Sequence, residues 1–316
     1  MSNQNLQKKI LVAVDGSVYS NNALNYLTEI FKGRENVRLD LFSVVSASGL
    51  PEAGREWMDE LSLMTAMGPQ ARNRYSRTRR FMNQAIEHMI RLGMEEQQVR
   101  AEVEIARAGT AMDIIQKARS GMYDALVIGR RGIGKIEELF MGSVSASVLG
   151  KCHDVPVWVV DKQVRSDRFL MPVDGSFHSL KAVDHLGFML GNHPSAEITL
   201  FHSSAMFATK YSSHPQDYYD RWGKEWCDRY LSGPDSLYEA PRQLLVEAGF
   251  APERIFWLHA FKGIEPARQI IRQALVDDFG TIVMGRRSGQ SNRGLLKSVS
   301  DRVVFMAEKV AIWIVG

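Results

Sequence analysis

Residues 10–24 read ILVAVDGSVYSNNAL, and residues 169–183 read FLMPVDGSFHSLKAV. Each stretch starts with an apolar run, passes through Asp-Gly-Ser and continues into a pattern typical of a helix. Three more pairs of segments follow in the same order in both halves of the 316-residue chain: DALVIGRR with GTIVMGRR, SVSASV with SVSDRV, and VPVWVV with VAIWIV. Because the matches keep their order, we interpret the chain as two copies of one domain in tandem.

In each copy, short runs rich in Val, Ile and Leu alternate with longer helical patterns. Such runs are typical of strands buried on both faces of a parallel sheet. The alternation predicts βαβ units, whose right-handed crossovers place helices on both faces. The predicted fold class is therefore α/β, with two tandem, doubly wound, Rossmann-like domains of five parallel strands each. The polar segment 161–167 places the boundary, so the predicted domains are residues 1–162 and 163–316.

The predicted strands are residues 10–14, 37–45, 99–106, 125–129 and 155–160 in the first copy, and 169–173, 198–201, 255–259, 282–285 and 310–315 in the second. The stretches 46–70 and 203–222 each follow a second strand and are long for plain connections. They predict lids or short additional helices. Gly233-Pro234 predicts a break in any helix there, because proline removes a backbone donor.

The net charge, the cysteine count and the N-terminal sequence limit the classes of function that this chain can have. A net charge of only +3 gives no basis for binding nucleic acid or acidic membranes. The arginine-rich stretch 72–80 is interpreted as a solvated helix face. The two cysteines, Cys152 and Cys227, are too few for a disulfide framework, and the N-terminus lacks the apolar core of a signal peptide. We expect a soluble cytoplasmic protein that binds neither nucleic acid nor membrane.

The most informative loop follows the fourth predicted strand and reads GRRGIGKIEELFMGS from Gly129 to Ser143. Ligands of open parallel sheets bind beyond the carboxyl ends of the strands, where this loop lies. Its glycines allow backbone amides to approach an anion, and Ser143 is expected to be the N-cap of the following helix. Free amides at that helix end, with the hydroxyls of Ser143 and Ser145, predict a phosphate site.

Other interpretations of these residues stay open at this point. The loop contains G-x4-G-K, but Ile136 stands where a P-loop has Ser or Thr, which disfavours that motif. The glycines are also compatible with a purely structural loop. Asp15 is compatible with ligand binding and equally compatible with a purely structural role in a turn or as a helix cap.

These residues resemble the ATP-binding motif of the universal stress protein family, G-x2-G-x9-G-[ST]. Gly129, Gly132, Gly142 and Ser143 match it at every position, and Asp15 matches the family's aspartate after the first strand. The resemblance implies that the motif residues hold a triphosphate, with Arg130, Arg131 and Lys135 adding charge-assisted contacts. It also implies that Asp15 and the backbone near Val14 and Val44 hold ribose and adenine. The full set of implied nucleotide-binding residues is Val14, Asp15, Val44, Gly129, Arg130, Gly132, Gly142, Ser143, Val144 and Ser145.

The second copy departs from the motif. Ser288 stands at the second glycine position, Lys297 stands at the third, and the loop is one residue shorter. ATP is therefore expected mainly in the first domain, with Mg²⁺ carried by the phosphates. By analogy with the family's dimers, the strands VWVV and IWIV are expected to pair within the chain as a pseudo-dimer. A further homodimer stays open.

The implied function is that of an ATP-binding stress-response regulator with little or no turnover. No catalytic or metal-binding residue is predicted, because no nucleophile motif or close-spaced ligand pair occurs. The scattered histidines of the second half (His178, His185, His193 and His202) are interpreted as ordinary surface or core residues. A slow ATPase, a nucleotide-free protein-interaction scaffold, and another adenine nucleotide such as cAMP are the alternatives. The protein partners are unknown.

Overall fold

The structure is a computed structural model that describes residues 6–46, 59–131, 141–162, 164, 167–204, 214–260, 265–287 and 298–316. The chain divides into two compact units: Gln7–Gln163 forms one, and Val164–Gly316 belongs to the other. Each unit holds five of the strands, and the strand pairings within each unit are parallel. The predicted α/β fold class is confirmed.

The first unit has the strand order β3-β2-β1-β4-β5. Its elements are β1 (Lys8–Ala13), α1 (Val18–Phe31), β2 (Val37–Val45), α2 (Glu60–Ala66), α3 (Pro69–Arg91), β3 (Val99–Ile105), α4 (Thr110–Ser120), β4 (Ala125–Gly129), α5 (Ser143–Lys151) and β5 (Val157–Val160). The chain moves outward from β1 to β3 and then returns to place β4 on the other side of β1. The order reverses between β1 and β4, which is where such sheets open a crevice for ligands.

The second unit repeats this arrangement with the strand order β8-β7-β6-β9-β10. Its elements are β6 (Arg168–Pro172), α6 (Phe177–Leu190), β7 (Glu197–Ser203), α7 (Tyr219–Trp222), α8 (Lys224–Tyr230), α9 (Ser236–Glu247), β8 (Ile255–Ala260), α10 (Pro266–Val276), β9 (Thr281–Gly285), α11 (Val299–Met306) and β10 (Ala311–Val315). The equivalent crevice lies between the carboxyl ends of β6 and β9.

Most predicted strand boundaries differ from the structure by one or two residues. β1 begins at Lys8 instead of Ile10, because the Lys8 amide already donates to the carbonyl of Asn36 at 2.8 Å. The described parts of the two long stretches contain the short helices α2 and α7, as predicted. The break at Gly233-Pro234 is also confirmed, since α8 ends at Tyr230 and α9 begins at Ser236.

The arginines of 72–80 lie on the solvent-exposed face of α3, whereas Tyr75 in the same stretch packs into a buried cluster with Val45 and Ile105. This arrangement is the solvated helix face that the sequence predicts. Both cysteines are buried and reduced. Among the helices in the described ranges, none combines the length and the apolar character that crossing a bilayer requires.

Candidate functional site

The Asp-Gly-Ser segment of the first unit forms a tight turn at the carboxyl end of β1. Gly16 has φ of +82°, a left-handed conformation that favours glycine. The Asp15 carboxylate accepts hydrogen bonds from the Ser17 amide at 3.0 Å and from the Ser20 hydroxyl at 2.5 Å. Ser17 in turn caps α1 by accepting from the Ser20 amide at 3.2 Å. Asp15 therefore organises the turn, and its side chain is exposed at the mouth of the crevice.

The second unit builds the same turn. Gly175 has φ of +75°, and Asp174 accepts from the amide and the hydroxyl of Ser176 at 3.0 and 2.6 Å. Ser176 then caps α6. The turn-organising role is common to both aspartates, which accounts for the presence of Asp174 in the copy whose loop has lost its glycines.

Val14 and Val44 lie at the same edge of the first sheet as Asp15. The Val14 amide donates to the carbonyl of Phe42 at 2.9 Å, which joins the chain after β1 to β2. Val44 is the penultimate residue of β2 and is partly exposed. The topology thus brings these three predicted positions together at the carboxyl ends of neighbouring strands.

Gly129 ends β4 and is buried against the first turn of α1. Gly142 lies on the far side of the loop, and its amide donates to the carbonyl of Arg130 at 3.0 Å. The two ends of the glycine loop therefore meet at the β4 end. Gly132 and Lys135 lie outside the described residues.

The N-terminus of α5 differs in one detail from the prediction. Ser143 is not the N-cap: the cap is Gly142, with φ −67° and ψ 150°, and Ser143 is the first helical residue. The bond from Gly142 to Arg130 fixes this register, because it holds the glycine in an extended conformation. The first intrahelical bond runs from the Ala146 amide to the Gly142 carbonyl at 2.8 Å.

The amides of Ser143, Val144 and Ser145 precede that first bond, so the helix itself supplies them with no acceptor. None of them donates to an acceptor within the described part of the chain. The Ser143 side chain is exposed, whereas Ser145 is buried and its hydroxyl donates to the Gly129 carbonyl at 2.7 Å. Ser145 thus uses its only side-chain proton to tie the helix to β4, and its amide is the group left for a ligand.

The two arginines after Gly129 have different surroundings. Arg130 is buried, with 2% of its surface exposed, and its amide donates to the Val160 carbonyl at 2.9 Å. The guanidinium of Arg131 lies over the Tyr19 ring, 5.9 Å from its centre. The Nε atom of Arg131 is buried and has no hydrogen-bond partner among the described residues. Arg131 follows shortly after β4 and has a buried donor without a described partner, and the start of α5 adds three free amides at the end of the same strand. These donors make this end of β4 suitable for an anion.

A family model for the universal stress protein family matches residues 7–161, which span the first unit and every element of this site. Residues 7–161 belong to the universal stress protein family. A universal stress protein of Methanocaldococcus jannaschii is 27% identical over 161 residues, which covers 50% of this chain and 85% of the relative.

Solved structures extend the likeness in fold to nearly the whole chain. A universal stress protein from Archaeoglobus fulgidus has a TM-score of 0.60 at 18% identity and covers 98% of this chain and 96% of its own. A putative universal stress protein from Pseudomonas aeruginosa has a TM-score of 0.55 at 15% identity, with 99% and 94% covered. At such identities the likeness establishes the universal stress protein fold and leaves the ligand to be argued from the site.

The second unit has the same fold but supplies its own anion at the equivalent helix end. Ser298 is the N-cap of α11 and accepts from the Asp301 amide at 3.0 Å. The Asp301 carboxylate returns to accept from the Ser298 amide at 3.4 Å, completing a capping box. Asp301 aligns with Ala146 of the universal stress protein domain. A carboxylate thus occupies the helix end that is open in the first unit.

The β9 end of the second unit also carries internal contacts. The guanidinium of Arg287 lies 4.0 Å from the Asp174 carboxylate. His178, the equivalent of Tyr19, has a buried Nδ1 without a partner among the described residues. Burial, followed by the nearby charges of Lys181 and Arg287, lowers the pKa of His178. The neutral imidazole is therefore favoured near neutral pH.

One arrangement in the second unit escapes the sequence reasoning. His202 and His259 are far apart in the chain, yet they pair in register on β7 and β8. Their ring centres are 5.2 Å apart. The interpretation of His202 as an ordinary surface or core histidine does not anticipate this neighbour, because a parallel sheet aligns residues that no local spacing connects. The signal in the sequence is that His259 ends the predicted strand 255–259 and His202 directly follows the predicted strand 198–201.

Proposed function

We propose that the first unit binds ATP, or a closely related adenine nucleotide, in the crevice between β1 and β4, and that turnover is slow or absent. The chain would then act as a nucleotide-binding stress-response regulator. One observation carries the proposal: the amides of Ser143, Val144 and Ser145 have no described acceptor and lie at the end of β4. They are the donors that phosphate oxygens require, and the helix dipole adds to the attraction.

The charges around the crevice favour a particular orientation of the nucleotide. The phosphates belong at α5 and Arg131, where the free donors lie. The Asp15 carboxylate would repel a phosphate but accepts hydrogen bonds from hydroxyl groups, so it suits the ribose. The edge formed by Val14 and Val44 then remains for adenine, where backbone groups at strand ends are the available polar contacts.

The proposal includes a metal ion that accompanies the nucleotide. Within the described ranges there is no group of three or more His, Cys, Asp or Glu side chains that could hold a metal. We therefore propose that Mg²⁺ accompanies the nucleotide and is coordinated by its phosphates, which is the usual mode for this ion. Ser143 has an exposed hydroxyl at the helix start and is the side chain best placed to join it.

The second unit provides the internal contrast that supports this proposal. Its helix end already has a carboxylate, Asp301, and the guanidinium of Arg287 already faces Asp174. A phosphate there would meet a like charge and would have to displace an existing ion pair. We propose one nucleotide per chain, held in the first unit.

The first experiment identifies the small molecules released when freshly purified protein is denatured, using HPLC and mass spectrometry. The matched variant is Ala146→Asp, which gives α5 the carboxylate that Asp301 gives α11. Ala146→Asn is its control, because it adds nearly the same volume without the charge. We expect about one adenine nucleotide per chain from the wild type and the Asn variant, and none from the Asp variant.

Titration calorimetry with ATP, ADP, AMP and cAMP in the presence of Mg²⁺ then ranks these nucleotides by affinity. Affinity should fall as phosphates are removed if the α5 amides hold them. Equal binding of ATP by the Asp and Asn variants would show that α5 does not hold the phosphates. No binding of any nucleotide by the wild type would overturn the proposal and favour a nucleotide-free scaffold.

A further inference from the structure

The third strand of each unit lies at an edge of the sheet, and the two edge strands differ in their side chains. β3 is the edge strand of the first unit and β8 that of the second. Natural edge strands are often protected by charged side chains, which prevent pairing with another chain. β3 follows this rule, because Arg100, Glu102 and Glu104 alternate along one face of the strand. Lys117 of α4 pairs with both glutamates, at 2.6 and 3.0 Å.

β8 does not have this protection. The registers of the two sheets place Phe256 at the position of Arg100 and Leu258 at the position of Glu102. The strand Ile255–Ala260 reads IFWLHA and contains no Asp, Glu, Lys, Arg or Pro. A short apolar edge without these residues is the kind that pairs with another strand.

Two large aromatic side chains of β8 are exposed, one on each face of the sheet. Phe256 has 45% and Trp257 has 58% of its surface exposed, and consecutive residues of a strand point to opposite faces. The helix that packs on β8 is α9, which has 12 residues, whereas α3 packs on β3 and has 23. Trp257 contacts Tyr238 of α9, with ring centres 5.3 Å apart, but the shorter helix leaves much of it uncovered.

The backbone of β8 is open on the side away from β7. In a parallel ladder, an edge strand bonds through the amides and carbonyls that face its neighbour, and the alternate groups point outward. For residues 255–258, the backbone bonds within the described part of the chain are those of the ladder with β7. A row of outward amides and carbonyls of this kind is a template for one more strand.

We propose that β8 pairs with β8 of a second copy of this chain, in an antiparallel arrangement about a two-fold axis. A strand without carboxylates, lysine or arginine offers no counter-charge to an acidic or basic peptide. Two copies of it, by contrast, meet without such like charges opposite each other. The two-fold relation pairs both open edges with each other, which closes the assembly at a dimer.

The size of the contact sets its expected strength. β8 has six residues, so the strand pair and its aromatic side chains form a small interface compared with the standard area of about 1,600 Å². We therefore expect a dimer that dissociates on dilution. The charged residues of β3 oppose the same pairing at the edge strand of the first unit, so the chain has one open edge for this contact.

Sedimentation velocity of the full chain from about 1 µM to about 1 mM tests the proposal, because weak interfaces dissociate in this range. The test variant is Phe256→Lys/Trp257→Lys, which places a lysine on each face of the edge, as natural edge strands do. Its neutral counterpart is Phe256→Val/Trp257→Val, which keeps a high β-propensity. We expect a concentration-dependent dimer for the wild type and the Val variant. The Lys variant should dimerise at least about 100-fold more weakly, because like charges then meet across the interface.

Leu275→Arg is the matched control on another apolar part of the same unit. Leu275 of α10 is 51% exposed, and the first unit has Arg119 at the equivalent position of α4. This variant should dimerise like the wild type. Nucleotide release from the first unit should be unchanged in all of these variants, so the dimer and the nucleotide site are tested separately.

Hydrogen exchange of the wild type gives a readout that does not depend on the folding of any variant. The outward amides among residues 255–258 should exchange more slowly in the concentrated sample than in the dilute one, because pairing protects them. A wild type that stays monomeric up to the highest concentration would overturn the proposal. So would a Lys variant that dimerises like the wild type, or a dimer that Leu275→Arg dissociates.

Discussion

Gly129 approaches Tyr19 so closely that a β carbon at the glycine would lie 3.0 Å from the β carbon of Tyr19 and 3.1 Å from its carbonyl carbon. The first helix of the unit thus packs on the end of the fourth strand through a position where only glycine fits without a shift. Gly285 repeats the contact in the second unit, where a β carbon would lie 2.1 Å from the carbonyl oxygen of His178. The first glycine of the loop is required by packing in both copies, whatever the loop binds.

Gly129→Ala and Gly285→Ala should therefore both destabilise the chain in the absence of nucleotide. Overpacking of this kind costs about 1–3 kcal/mol, and Gly285→Ala should cost more because its closest contact is with backbone. Urea denaturation followed by circular dichroism measures the change in the free energy of unfolding. If Gly129→Ala unfolds like the wild type and only loses nucleotide, the packing explanation of this glycine is wrong.

The fold could be predicted from the sequence because the apolar runs and the internal duplication indicate the same strands. Strands buried on both faces read as apolar runs, and the duplication shows each run twice, so an ambiguous segment in one copy is clarified by the other. The strand boundaries do not follow from the apolar pattern, because they depend on single backbone bonds such as that of Lys8 to Asn36. Strand pairing across the sheet, which places His202 beside His259, has no local signal at all.

The site could be predicted only at the level of the loop. Serine is a common N-cap, so the sequence favours Ser143, but a backbone bond from Gly142 to Arg130 decides the cap. The sequence also predicts the Ser145 hydroxyl as a phosphate ligand, yet that hydroxyl donates its proton to the Gly129 carbonyl. Such choices depend on which partner is nearest in three dimensions. The roles of Gly132 and Lys135 remain predictions.

The two turn aspartates allow stability to be separated from binding. Asp15→Ala and Asp174→Ala each remove a carboxylate that accepts two hydrogen bonds in its turn. Each substitution should lower the free energy of unfolding by about 0.5–1.5 kcal/mol per bond that water does not replace. Only Asp15→Ala should also weaken ATP binding in calorimetry. Equal ATP affinity of the two variants would remove Asp15 from the proposed ribose contacts.

Asp301 should stabilise the second unit through the capping box that it forms with Ser298. Asp301→Ala removes the carboxylate from the first turn of α11 and leaves the Ser298 amide without its partner. Loss of such a cap costs about 1 kcal/mol. Thermal unfolding of this variant, compared with Asp301→Asn, separates the charge from the hydrogen bond. A melting temperature equal to that of the wild type in both variants would contradict the role of the capping box.

His185 should make the stability depend on pH below neutrality. Its ring packs against Trp313 at 6.1 Å, and burial, followed by the nearby charge of Arg221, lowers its pKa to about 3. The unfolded chain has a histidine pKa of about 6.5. Between these values the unfolded state binds the proton and the folded state does not. The stabilisation is therefore complete above the unfolded pKa and is lost as the pH falls toward the folded one.

The expected slope is at most about 1.4 kcal/mol per pH unit for this one group. His178 and His259, whose pKa values are also lowered, act in the same direction, so the wild type alone cannot isolate His185. The comparison is with His185→Phe, which keeps an aromatic ring beside Trp313 but cannot be protonated. Urea denaturation at several pH values from about 5 to 8 should show the wild type losing stability faster than the variant as the pH falls. A constant difference between the two proteins across this range would mean that His185 titrates alike in the folded and unfolded states.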